Sequence, residues 1–165
     1  MFILIMGVTG SGKTTVGALL SAATGLPFYD ADDFHSPSTI RKMVAAVPLT
    51  DEDRGPWLDE LRALISEQDA RGDNGILACS ALKESYRRTL SSGASLVVVY
   101  LKAEPGLIRS RLADRRGHFM PQRLIQSQFL DLEEPEEAIT IPADWQPHQI
   151  VEAIRSQLGK LGLDA

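Results

Sequence analysis

Gly7-Val8-Thr9-Gly10-Ser11-Gly12-Lys13-Thr14 follows directly on the apolar run Phe2-Ile3-Leu4-Ile5-Met6. The octet is a complete G-x-x-x-x-G-K-[ST] phosphate-binding loop. Its context fits: a buried strand feeds a glycine-rich turn, and Thr15-Val16-Gly17-Ala18-Leu19-Leu20 continues as a helix. Glycines at 7, 10 and 12 open backbone conformations that turn N–H groups toward an anion. A helix starting near Lys13 adds the positive end of its dipole. Lys13 can reach the β- and γ-phosphates, and the Thr14 hydroxyl can ligate Mg²⁺. The stretch predicts a nucleoside triphosphate site.

Outward from the loop, apolar strand-like runs alternate with amphipathic helical stretches, the sequence form of βαβ units around a parallel sheet. A helix over Lys13–Ala23 is followed by a short strand, Leu26-Pro27-Phe28-Tyr29, ending at Asp30. Asp51–Arg71 carries Trp57, Leu58, Leu61, Leu64 and Ile65 on one helix face. Gly75–Cys79 and Leu96–Leu101 read as continuous apolar strands, as buried parallel strands do. A helix over Pro105–Arg116 meets a break at Gly117, and Pro121 suits the first turn of the next helix, whose Ile125, Phe129 and Leu132 share a face. Ala138–Ile141 is a weaker fifth strand. The last helix, from about Pro147, carries Ile150, Val151, Ile154, Leu158 and Leu161. The predicted fold is a three-layer α/β/α P-loop domain over residues 1–165, with five parallel strands and ligands at their carboxyl ends.

Composition narrows the class. The 165 residues suit one domain, able to bury roughly 68–70% of the unfolded surface. No apolar run reaches the ~20 residues that span a bilayer, and Phe2–Met6 is explained as a strand without a charged leader before it. One cysteine, Cys79, excludes an internal disulfide and fits a reducing cytoplasm. Its simplest role is that of a small buried residue at a strand end. A net charge of −5 with no basic stripe argues against nucleic acid as a partner.

The strand-end rule directs attention to Asp30-Ala31-Asp32-Asp33-Phe34-His35 and Cys79-Ser80-Ala81-Leu82-Lys83, which converge with the phosphate loop on one crevice. Alternation puts the Asp30 and Asp32 carboxylates on one side of an extended chain. One can serve the Mg²⁺ shell, here Asp30, while the other, Asp32, accepts a proton from a substrate hydroxyl. Asp33 and Ser36 read as caps of a helix beginning near Pro37. His35 is not read as a metal ligand, because no second His or Cys stands at ligand spacing.

Taken together, these segments resemble the thermoresistant-type gluconokinase family, small P-loop kinases related to shikimate kinase and the nucleoside monophosphate kinases. The resemblance runs from about residue 3 to 135. It rests on Gly7–Thr15, Asp30-x-Asp32-x-x-His35, Lys42-Met43, and Pro48-Leu49-Thr50-Asp51-Glu52-Asp53-Arg54-x-Pro56-Trp57-Leu58. Further blocks are Cys79-Ser80-Ala81-Leu82-Lys83-x-x-Tyr86-Arg87, Arg111-x-x-x-Arg115-x-Gly117-His118-Phe119-Met120-Pro121, and Ser127-Gln128-Phe129. It implies ATP- and Mg²⁺-dependent phosphorylation of D-gluconate to 6-phosphogluconate by a homodimer. Ala138–Trp145 departs from the family pattern of an apolar strand and then an aspartate, so contacts to the nucleotide base are not carried over there.

Gluconate, a polyol with one carboxylate, calls for a cation and several polar groups. Arg54, Lys83 and Arg87 are available cations; Asp32, His35 and Ser80 can serve hydroxyls. Arg54 could equally pair with Asp51 or Glu52, Arg87 could lie on a surface beside Arg88, and Lys42 reads as a solvated helix charge. The substrate-binding helices fall within about residues 36–71. Arg111 and Arg115, four apart on one helix face, suit a lid over about residues 115–123, with one arginine over the base or phosphates and the other at the γ-phosphate. Arg109 and Arg116 read as solvated, His118 as lid structure and His148 as surface. Two rival readings remain. One is a kinase for another hydroxy acid such as shikimate, though Cys79-Ser80 stands where such enzymes place a glycine pair. The other is a nucleotide-binding regulatory protein without catalysis.

Overall fold

The computed structural model describes residues 1–45, 47–113 and 122–162. Its strands are β1 (Phe2–Met6), β2 (Phe28–Asp30), β3 (Gly75–Ala78), β4 (Leu96–Lys102) and β5 (Ile139–Pro142). Its helices are α1 (Lys13–Thr24), α2 (Pro37–Val44), α3 (Asp51–Ala70), α4 (Glu84–Ser91), α5 (Pro105–Ala113), α6 (Gln122–Asp131) and α7 (Pro147–Lys160), with a 3-10 turn over Ala31–Phe34. The strands form one parallel sheet in the order β2-β3-β1-β4-β5. The sheet is therefore the predicted one. The described strand bounds differ from the sequence reading by at most two residues at either end, the largest shift being at the start of β2. The expected lid falls mainly on residues 114–121, outside those described.

The order explains where ligands must go. Chain order reverses direction around β1, which has β3 on one side and β4 on the other. That switch point leaves a crevice at the carboxyl end of β1, where the phosphate loop begins.

Both faces of β1 are buried, so its alternating side chains enter two separate cores. Ile3 and Ile5 join Val16, Leu20, Val99, Leu101 and the α7 residues Ile150, Ile154 and Leu158. Phe2, Leu4 and Met6 join Trp57, Leu61 and Ile65 of α3, with Leu90 and Tyr100. Leu161, read as part of the α7 apolar face, lies past the end of that helix and is exposed. Ser36 caps α2 by accepting from the Thr39 N–H at 3.2 Å. Asp33 does not share that role. It lies inside the 3-10 turn, whose cap is Asp30. Thr50 and Asp53 form a reciprocal capping box at the start of α3, and Lys42 ties α2 to that box through Asp53 at 2.6 Å.

Candidate active site

The phosphate loop is built where glycine is required. Gly7 has φ +146°, and a Cβ there would come within 2.8 Å of the Leu101 carbonyl and 2.9 Å of Ser11 Oγ. The loop therefore packs against β4 as closely as a residue without a side chain permits. Lys13 Nζ donates to the Val8 carbonyl at 3.1 Å, so the ammonium curls over the loop.

Two cavities flank the loop and share Gly10, Gly12 and Thr15. The smaller, about 170 Å³, is lined by Ser11, Arg111, Ala143, Trp145, Pro147 and Ile150 as well. Arg111 spans it, donating to the Gly10 and Ser11 carbonyls at 3.2 Å and to the Ala143 carbonyl at 2.6 Å. The larger cleft, about 420 Å³, contains Thr9, Lys13, Thr14, Asp30, Asp32, His35, Arg54, Ser80 and Gln128, with Met43, Leu49 and Trp57 as apolar wall. The convergence expected at the strand ends is thus present in one space.

Within that cleft Asp30 and Asp32 have different surroundings. Asp30 Oδ2 accepts the Thr14 hydroxyl at 2.7 Å and Oδ1 accepts the Asp32 N–H at 3.1 Å. Asp32 directs its carboxylate into the open cleft. Its side chain is 78% exposed, yet protein walls surround it. That partial loss of solvation, reinforced by the charge of Asp30, raises its pKa above the ordinary aspartate value, with Lys13 and His35 opposing. The His35 ring is 5% exposed and stacks on Trp57 with centroids 4.6 Å apart. Burial lowers its pKa, so the imidazole facing Asp32 at 3.9 Å is neutral near pH 7. Trp57 Nε1 donates to the Ala31 carbonyl at 2.7 Å, so one indole holds both flanks of the turn bearing Asp32.

The candidate cations divide. Arg54 lines the cleft while donating to the Leu49 carbonyl at 2.8 Å, and stands 3.8 Å from Asp51. It therefore lines the cleft and pairs with Asp51 at once. Lys83 instead grips both Asp51 oxygens at 2.8 and 2.9 Å, outside the cleft lining, and Tyr86 donates its hydroxyl to the same carboxylate. Lys83 and Tyr86 hold the Asp51 carboxyl below the usual aspartate range. Arg87, expected at the substrate or on the surface, is neither. It is buried and donates to the Ala81 and Leu82 carbonyls at 2.9 Å, bracing a turn in which Ala81 has φ +42°. Arg115 lies outside the described residues. Gln128 and Trp57 belong to quoted motif blocks, but no spacing rule gave either a place in the cleft.

Oxygen donors at Thr14 and Asp30 suit Mg²⁺, which takes few protein ligands and keeps waters and phosphate oxygens. Among the described residues no three His, Cys, Asp or Glu side chains gather as a metal cage, so a dedicated all-protein site is not what the cleft offers.

The shikimate kinase family profile matches residues 9–155. A probable gluconokinase from Mus musculus is 44% identical, covering 94% of this chain and 96% of its own. A gluconokinase from Gluconobacter oxydans is 38% identical over 93% of this chain and 88% of its own. Among solved structures, a gluconokinase from Sinorhizobium meliloti superposes with a TM-score of 0.86 at 39% identity, covering 96% of this chain and 91% of that one. Shikimate kinase from Aquifex aeolicus superposes with a TM-score of 0.62 at 22% identity, a likeness of fold. With these relatives covering nearly its whole length, the chain belongs to the gluconokinase family of shikimate kinase-like P-loop enzymes.

Proposed function

We infer that this chain is a kinase that transfers the terminal phosphoryl group of ATP to D-gluconate, giving 6-phospho-D-gluconate. The observation that carries the reading is a single cleft lined by a phosphate-loop lysine, an open carboxylate with a raised pKa, and an arginine. A polyol carboxylate is matched at both ends by that set: Arg54 for its charge, Asp32 for the hydroxyl that attacks.

In this reading Asp32 takes the proton from the attacking hydroxyl, and a raised pKa makes it a stronger acceptor than an ordinary aspartate. Neutral His35 and Ser80 hydrogen-bond neighbouring hydroxyls. Lys13 leaves the Val8 carbonyl to meet charge on the transferred group, and Arg111 bridges the loop to the base side. Arg115 is proposed as a second cation at the transferring phosphate. Thr14 and Asp30 would hold Mg²⁺, which supplies charge neutralisation of the phosphates when bound. We place Lys83 and Arg87 as supports of the Asp51 and Ala81 segments. A homodimer in the cytoplasm is the proposed setting; no described helix is long and apolar enough to cross a membrane.

A coupled assay of ADP release with gluconate, shikimate, glucose and nucleoside monophosphates tests the assignment. Gluconate should be preferred; preference for any other acceptor overturns it.

A further inference from the structure

Gln128 of α6 makes two hydrogen bonds to one residue of the phosphate loop, 119 positions away. The backbone N–H of Thr9 can only donate, so the Gln128 atom 2.6 Å from it is the amide oxygen. The amide nitrogen is thereby turned onto Thr9 Oγ1 at 3.0 Å, and it too can only donate. The threonine oxygen therefore accepts, and its own proton is left for a different acceptor. Thr9 and Gln128 line the larger cleft with Lys13 and Asp32, and neither lines the smaller cavity spanned by Arg111. That is the side on which a phosphoryl group leaves the nucleotide for an acceptor. An anionic phosphate oxygen there is the acceptor with most need of a donor.

We propose that Gln128 is a positioning residue for phosphoryl transfer. It fixes Thr9 so that the hydroxyl proton points into the cleft as a donor to the terminal phosphate. The proposal rests on the kinase reading above, but the γ-phosphate contact can be measured without any acceptor substrate.

Affinities for ADP and for a non-hydrolysable ATP analogue, measured by calorimetry with Mg²⁺, supply the test. Gln128→Met keeps length and removes both hydrogen bonds. Gln128→Glu keeps shape but offers a carboxylate that captures the Thr9 proton. Thr9→Val removes the hydroxyl outright. All three should lower the preference for the triphosphate over ADP about tenfold, the scale of one hydrogen bond to a charged group. Thr9→Ser should restore most of the preference lost in Thr9→Val, and Gln128→Met should add little when combined with Thr9→Val. Equal weakening of both nucleotides would mean that Gln128 only stiffens the loop, and overturns the proposal. So does an unchanged ratio in either Gln128 variant. Should Gln128→Met fail to fold, Gln128→Leu, which also removes both hydrogen bonds and adds no charge beside the phosphate, carries the same two outcomes. Absence of gluconate turnover in the parent protein would refute the substrate assignment and leave this ratio as informative as before.

Discussion

Asp30 accepts the Thr14 hydroxyl with one oxygen, at 2.7 Å, and the Asp32 backbone N–H with the other, at 3.1 Å. One carboxylate thus ties the first turn of α1 to the turn that aims the second carboxylate. The pairing also separates their roles. Asp30 commits one oxygen to Thr14 at the phosphate side and the other to the Asp32 turn, whereas the Asp32 carboxyl is open to the cleft and has its pKa raised mainly by partial loss of solvation between the cleft walls.

Asp32→Asn should therefore lose activity and gain stability. General bases contribute about 10²–10⁴-fold, so kcat should fall within that range while nucleotide affinity changes little. The stability sign follows from the raised pKa. The folded protein holds the proton more tightly than the unfolded chain, so this group favours folding below the ordinary aspartate pKa of 3.8 and loses that advantage as pH rises through the folded value. At neutral pH the ionised carboxyl is a cost, and removing it should raise Tm. The acid limb of the parent's kcat/KM profile should likewise lie above 3.8. A fall in Tm with kcat retained would return Asp32 to a structural role.

Asp30→Asn should act through the metal. Weakening a metal-positioning carboxylate typically costs about 10–100-fold in metal affinity. The Mg²⁺ concentration giving half-maximal rate should rise on that scale, with part of the rate recovered at high Mg²⁺. A titration identical to the parent's would assign Asp30 to holding the turn alone.

Arg54→Lys should raise KM for gluconate and leave KM for ATP near the parent value. Lysine keeps the charge but loses the planar fork that meets a carboxylate with two donors while holding the Leu49 carbonyl. Steady-state kinetics with each substrate varied in turn will show it. Equal effects on both KM values would instead indicate that the Leu49 contact merely supports the cleft wall.

The parts of this site that lie within a few residues of one another were legible in the sequence. The loop, Asp30, Asp32 and His35 sit at strand ends, where periodicity and the parallel-sheet rule already place ligands. What escaped depends on contacts between distant segments. Nothing in the spacing of Gln128 points to Thr9, and nothing around Trp57 distinguishes a core indole from one that stacks on His35. Charge alone also misled: Lys83 and Arg87 were available cations by composition, but a carboxylate at Asp51 and two backbone carbonyls claim them. The lid arginine reading stays with the sequence, since Arg115 falls outside the described residues.

Gly17 links packing to the site. It faces the core from α1, and a Cβ there would stand 2.2 Å from Phe28 Cε2 and 2.8 Å from Cδ2. A Cβ does not come that close to an atom outside its own covalent neighbourhood, so Gly17→Ala must displace the ring or separate α1 from β2. Overpacking of this kind costs about 1–3 kcal/mol. For a domain of this size each kcal/mol lowers Tm by roughly 2–4 °C. Helix propensity favours alanine by about 1 kcal/mol, so a net loss would show that the clash outweighs it. The displacement also has a functional reading. Phe28 opens β2, and Asp30 ends the same three-residue strand, so moving the ring shifts the partner of Thr14. Gly17→Ala should therefore raise the Mg²⁺ requirement as well as lower Tm. Phe28→Leu, which removes the ring atoms nearest the new methyl, should recover both in the double variant, although alone it leaves a void and destabilises. A Gly17→Ala protein with parental Tm and Mg²⁺ dependence would show that α1 and β2 can separate freely, and would remove packing at Phe28 from the account of how Asp30 is held.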